Sequence, residues 1–350
     1  VDEQMPDTEA RGEPVAELSE APVLATPEPP REWRRLPSGR WAVGDEGNQE
    51  RIVPQPARPW SVPDTVADGA QCNSVSYRAA SLRGLSHQQY GKPRQDGFGF
   101  CLPGNGEWLV ACVADGVSDG RLSHEAAAIA CEQLPRRIGA AITPLGAGDV
   151  EDWPSFSEQL PWEQTISEVN SSIIDRASAW YLRHAPSNDE AGDEDGDVQA
   201  LLSPTNAAVI MSTTAIALVM PTQPDAAGGH PFTVVVAAGD SSAFQMSSGV
   251  WEPLTLVKNA GADIASSTVN PLPRTQAVRF SHGRLEPGEC LAVMTDGLGD
   301  PLGTGRGVVG RFLAEVWAEP PDVLSFASQL GFLRKTFVDD RTAFCVWTAR

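Results

Sequence analysis

Residues 108–120 read WLVACVADGVSDG. The unbroken apolar run from Trp108 to Ala114 predicts a buried strand. Asp115 and Gly116 follow it directly. A carboxylate at the end of a buried strand is expensive to desolvate unless something pairs with it. The arrangement recurs. CLAVMTDG places Asp296 and Gly297 behind an apolar run beginning at Cys290, and FTVVVAAGD places Asp240 behind another. Asp96-Gly97 in QDGFGF is a third Asp-Gly pair, and Asp339 and Asp340 stand just before the run TAFCVW. One Asp-Gly pair alone reads as a hairpin turn. Three of them, two abutting buried strands, read as an acidic metal site. Divalent cations such as Mg²⁺ and Mn²⁺ take hard oxygen ligands, and a glycine after the aspartate lets the backbone approach the ion.

Outward from these motifs, strands are predicted over 108–114, 215–220, 232–238, 277–280, 290–295 and 342–347. Helices are predicted over 122–138, 162–182 and 322–333, the last with Asp322 as N-cap after two prolines. Strands joined by short loops argue antiparallel pairing, hence an α+β layered domain. Residues 1–70 hold eleven of the 29 prolines and 14 acids against seven basic residues. They read as a largely irregular N-terminal extension, with residues 71–350 as the folded domain. Trp33 and Trp41 form a denser patch inside the extension, read as an arm packed on the neighbouring domain or as a partner-docking motif. An acidic insertion is expected over 185–205. Its NDEAGDEDGD run fails as a calcium loop, because Ala191 and Leu202 fall where acids are required.

The formal net charge is −20. Such a polyanion gains nothing from counterion release on nucleic acid, so nucleic acid is excluded as a partner. A phosphate ester would need positive charge supplied locally, and bound metal is the source consistent with this sequence. The six cysteines are scattered, with no CxxC pair, and read as reduced thiols of a cytoplasmic protein. No apolar stretch reaches the roughly 20 residues a membrane helix needs.

Six segments in order, GLSHQQYGKPRQDGF (84–98), VADGVSDG (113–120), STTAIAL (212–218), AAGDSSAF (237–244), MTDGLGD (294–300) and VDDRTAFCV (338–346), resemble the metal-dependent protein phosphatases of the type 2C family. The resemblance covers roughly residues 80–350. It implies a four-layer α-β-β-α sandwich of two mainly antiparallel sheets, with metals at one end. It further implies that Asp115 bridges two central Mn²⁺ or Mg²⁺ ions beside the Gly116 carbonyl. Asp296 and Asp339 are implied as ligands of the first ion, Asp96 as a direct or water-mediated ligand, and Asp240 as support for a third. The implied reaction is hydrolysis of phosphoserine and phosphothreonine in phosphoprotein substrates, targets of a serine/threonine kinase, by in-line attack of a metal-bridging hydroxide.

The chain departs from the family pattern in places. Gln95 stands where a glutamate is usual, Gly91 occupies the spacing of the phosphate-gripping arginine, and Val117 replaces a histidine found in some members. His87, Lys92 and Arg94 are therefore the candidates for phosphate contact, with His87 also a candidate general acid beside Asp96 and Asp115. The alternatives are a catalytically impaired scaffold that binds phosphoproteins and a small-molecule phosphoesterase. GRGVVG (305–310) spells a dinucleotide-binding fingerprint but does not directly follow a strand, and a helical stretch occupies the place of its acidic partner.

Overall fold

Each buried strand shows a different face to each of two neighbours, and this division builds the layers. The computed structural model describes residues 32–59, 62–118, 120–146, 150–184, 203–255 and 270–349; residues 1–31, the first part of the expected tail, and 185–202, most of the expected acidic insertion, lie outside that range. Trp108 to Ala114 forms β6, with all seven residues buried. Leu109, Ala111 and Val113 pack with Leu291, Val293, Phe344 and Val346 between two sheets. Trp108, Val110, Cys112 and Ala114 face the other way, under Leu134, Ile138, Ile166 and Ile173 of two long helices.

Those helices are α2 (Ser123–Ile142) and α4 (Trp162–His184). They cover a five-stranded sheet in which β6 lies between β5 (Gly97–Cys101) and β7 (Ala215–Pro221), followed by β8 (His230–Ala238) and β11 (Arg279–Leu285). The second sheet has six strands in the order β10 (Val250–Pro253), β9 (Ser242–Ser247), β12 (Cys290–Met294), β13 (Arg341–Thr348), β4 (Val75–Leu82) and β3 (Thr65–Cys72). Its outer face packs under α7 (Val308–Val316) and α8 (Val323–Leu330) through Met294, Cys345, Trp347, Phe312 and Phe326. Every strand pair is antiparallel. The result is the expected α-β-β-α sandwich. Asp322 caps α8, its Oδ1 accepting from Ser325 N at 2.9 Å. Among the described residues no helix is long and apolar enough to cross a membrane.

The division expected at residue 70 is corrected: it falls inside β3, which pairs with β4 along its full length. The compact unit runs from Glu32. A hairpin of β1 (Trp33–Arg35) and β2 (Trp41–Val43) lies on α7, with the Trp41 and Trp33 rings 5.3 and 6.0 Å from Phe312. It is stitched to the chain before β13 by Val43 N to Leu333 O (3.0 Å) and Leu333 N to Trp41 O (2.7 Å). The tryptophan patch thus packs as an arm. Residues 45–58 then run on as a strap, bonding Lys335 at Asp45, Gln88 at Gln55 and Gly91 at Arg58. The strand expected over 277–280 is β11, displaced to 279–285. Gly305 of the fingerprint decoy is a packing glycine. Its φ is +81°, and a Cβ there would stand 2.4 Å from the Trp251 carbonyl.

Candidate metal centre

Antiparallel register brings the acidic strand ends together. Gly97 of β5 pairs with Ala114 of β6, so Asp96 enters beside the point where Asp115 leaves. Met294 of β12 pairs with Ala343 of β13, and Thr295 N donates to Thr342 O (3.0 Å), so Asp296 leaves beside the point where Asp339 and Asp340 enter. Asp296 is the first residue of α6 (Asp296–Leu302). Thr295 Oγ donates to Asp96 Oδ2 at 2.7 Å and ties the two sheets across the centre. Gly116 and Gly297 are required by close approach rather than by turns, whereas Gly97 has room for a side-chain carbon. A Cβ on Gly116 would lie 2.7 Å from Ser123 O, and one on Gly297 1.8 Å from Asp340 O.

Asp115 is fixed through its backbone. Its N–H donates to Thr214 Oγ (3.0 Å), and its carbonyl accepts from Thr214 N (2.8 Å) and Thr213 Oγ (2.9 Å). Thr214 Oγ also meets Ser241 Oγ at 2.9 Å, which connects Asp115 to the β8–β9 turn carrying Asp240. Burial pushes the Asp115 carboxyl well above the ordinary range, and the charges of Asp96, Asp296 and Asp339 push it further. Asp96 is raised by burial and then by Asp340, with the Thr295 hydroxyl opposing. Burial also raises Asp339, the most solvent-open of the set.

Asp96 and Asp115 act on each other's ionisation across the centre. Neither forms an ion pair with a lysine or arginine among the described residues. Gln95 Oε1 is buried nearby with no hydrogen-bond partner. Buried hard-oxygen donors whose charges raise one another's pKa, together with an orphaned amide oxygen, fit divalent cations.

The three candidate phosphate contacts separate. His87 is 4% exposed, with Nδ1 2.9 Å from Asp340 Oδ1. Arg94 bonds Pro63 O (3.1 Å), Ser81 Oγ (2.6 Å) and the Asp96 carbonyl, knitting the strand entry rather than facing outward. Lys92 is exposed, its Nζ 3.4 Å from Ser118 O on the loop after Asp115. Asp340 is a residue the motif reading passed over. His87, Asp339 and Asp340 offer ligand atoms within 4.8 Å of one another. Both Asp340 oxygens are already engaged, however: Oδ1 with Gly84 N (2.6 Å) and His87, and Oδ2 with Gln95 N (2.6 Å). Asp340 is a clasp that holds the entry to Asp96.

The sequence profile described as Protein phosphatase 2C matches residues 83–330, more than two thirds of the chain. This chain belongs to the protein phosphatase 2C family. Solved structures to which the chain is similar include PppA of Pseudomonas aeruginosa, described as a key regulatory component of its T6SS (16% identity, TM-score 0.48, covering 79% of this chain and 99% of that one). The serine/threonine phosphatase PstP of Mycobacterium tuberculosis is 14% identical (TM-score 0.43, covering 79% and 99%). RsbX, solved in complex with magnesium, is 14% identical (TM-score 0.44, covering 81% and 100%). No curated protein sequence matches the chain. Within this 2C-type fold, Thr213, Thr214, Thr295 and Asp340 hold the acids in place. Thr295 and Asp340 were signalled in the sequence only by adjacency to the acidic motifs, and Thr213 and Thr214 only by their place in STTAIAL.

Proposed function

We propose that this chain is a metal-dependent serine/threonine protein phosphatase that hydrolyses phosphomonoesters of phosphoprotein substrates. The observation that carries the reading is the gathering of Asp96, Asp115, Asp296 and Asp339 at one end of the two sheets, where the buried Asp115 carboxyl feels the charges of the other three. Asp115, with the Gly116 carbonyl, would hold the metal together with Asp96, Asp296 and Asp339. Asp240, joined to Asp115 through Ser241 and Thr214, is the support for a third ion. Bound Mn²⁺ or Mg²⁺ supplies positive charge against the phosphoryl oxygens and lowers the pKa of water at the site.

The chain's own groups supply placement. The Thr213–Thr214 clamp fixes the Asp115 backbone, and Thr295 orients Asp96 by donating to one of its oxygens. Lys92, against the loop after Asp115, is the ammonium that orients substrate phosphate in place of the missing arginine. Hydrolysis of a phosphoserine peptide should require Mn²⁺ or Mg²⁺, stop on chelation, and exceed hydrolysis of nucleotides and sugar phosphates. Undiminished turnover in metal-free buffer would sink the mechanism. Metal binding without turnover of any phosphoester would identify a phosphoprotein-binding scaffold.

A further inference from the structure

Arg341 opens β13 directly behind Asp339 and Asp340, and it is 6% exposed. Its hydrogen bonds all go to carbonyls. Nε donates to Gly297 O (3.1 Å), Nη1 to Leu330 O (3.1 Å) and Phe332 O (2.5 Å), and Nη2 to Phe337 O (3.0 Å). Cζ lies 4.0 Å from the centre of the Phe332 ring. A buried cation is normally paired with a carboxylate, and this one makes no ion pair among the described residues. The identity of the carbonyls explains the placement. Gly297 follows Asp296, and Phe337 precedes Asp339 by two residues. One planar guanidinium therefore ties together the two backbone segments that deliver these acids from distant parts of the chain. Gly297 meets the Asp340 carbonyl with no room for a Cβ, so the two segments already touch. The fork fixes that contact from the side facing the core.

We propose that Arg341 is a positioning residue of the metal centre, setting the separation of Asp296 and Asp339 by bracing their backbones. The proposal rests on the metal reading above for its consequence, but the brace itself is testable without metal. Lysine at this position keeps the charge and loses the planar fork. Arg341→Lys should weaken Mn²⁺ binding, read by electron paramagnetic resonance of the free ion, about tenfold, the usual scale for groups that orient metal ligands. In the metal-free protein it should also speed amide exchange at Gly297, Leu298, Val338 and Asp340. Phe326→Leu, a core change in the same helical layer, is the control: it should lower Tm and leave both readouts unchanged. If Arg341→Lys does not fold, Phe332→Leu, which removes only the ring beneath the guanidinium, should show a smaller change in the same direction. Mn²⁺ affinity within about twofold of wild type with unchanged exchange would reduce Arg341 to a core stabiliser. Should the wild-type protein bind no Mn²⁺, the metal reading fails, and the exchange measurement still decides the brace.

Discussion

Asp115 sits where three other acids act on it at once, and this gives a substitution there two opposite effects. Asp115→Asn removes a carboxyl that resists ionising and relieves the repulsion around it. The metal-free variant should therefore melt at or above the wild-type temperature at neutral pH. The same change removes a carboxylate that would hold the metal, so kcat at saturating Mn²⁺ should fall at least tenfold, a loss of about 1.4 kcal/mol or more. Thermal melts without metal and steady-state rates with it check both halves. A variant that is less stable and fully active would reverse the assignment. The aspartates of the Asp-Gly pairs were legible because a carboxylate ending a buried strand needs an explanation. The division of labour between Asp339 and Asp340 was not, because two adjacent identical side chains differ only in which one the fold turns inward. His87 was misleading for the same reason: a histidine near acids reads as a proton donor until its partner, Asp340, is seen to hold it inside.

At the scale of elements, β6, β7, β12 and β13 were readable because both of their faces are buried, which leaves continuous apolar runs. β3 was not readable. It is the edge of its sheet, with half of its residues exposed, none buried, and a composition shared with loops. α6 carries two glycines and a proline in seven residues, and no propensity argument makes it a helix. It forms because Gly297 and Gly299 let it lie against the Asp340 carbonyl and the Ser242 side chain. The N-terminal arm was read by composition as a tail, although its tryptophans cover Phe312 and its strap bonds α1 (Leu85–Tyr90). Deleting residues 1–58 should lower Tm by more than ~5 °C or leave the protein insoluble, since it bares an aromatic face and unpairs Leu333, Lys335 and Gln88. A truncated protein with unchanged melting and solubility would make the arm dispensable.

For the whole molecule, the strand pattern alone gave an α+β layered domain, and the four-layer sandwich was legible only through the resemblance of six ordered segments to the type 2C family. The contacts that close the centre were beyond sequence reasoning: Thr295 reaches Asp96 across 199 residues and Arg341 reaches Gly297 across 44. Convergence of so many acids makes stability depend on both pH and metal. Asp96 and Asp115 have folded-state pKa values raised above the unfolded range. Their contribution to stability is therefore complete below the ordinary aspartate pKa of about 3.9 and is lost as pH rises through the raised values. A divalent cation bound among these carboxylates would offset the repulsion that neutral pH brings. Isothermal titration of Mn²⁺ at neutral pH, repeated in buffers of different ionisation heat, tests this most directly. The account predicts binding accompanied by proton release, with both lost or strongly reduced in Asp115→Asn. Absence of Mn²⁺ binding, or binding without proton release that survives Asp115→Asn unchanged, would contradict it.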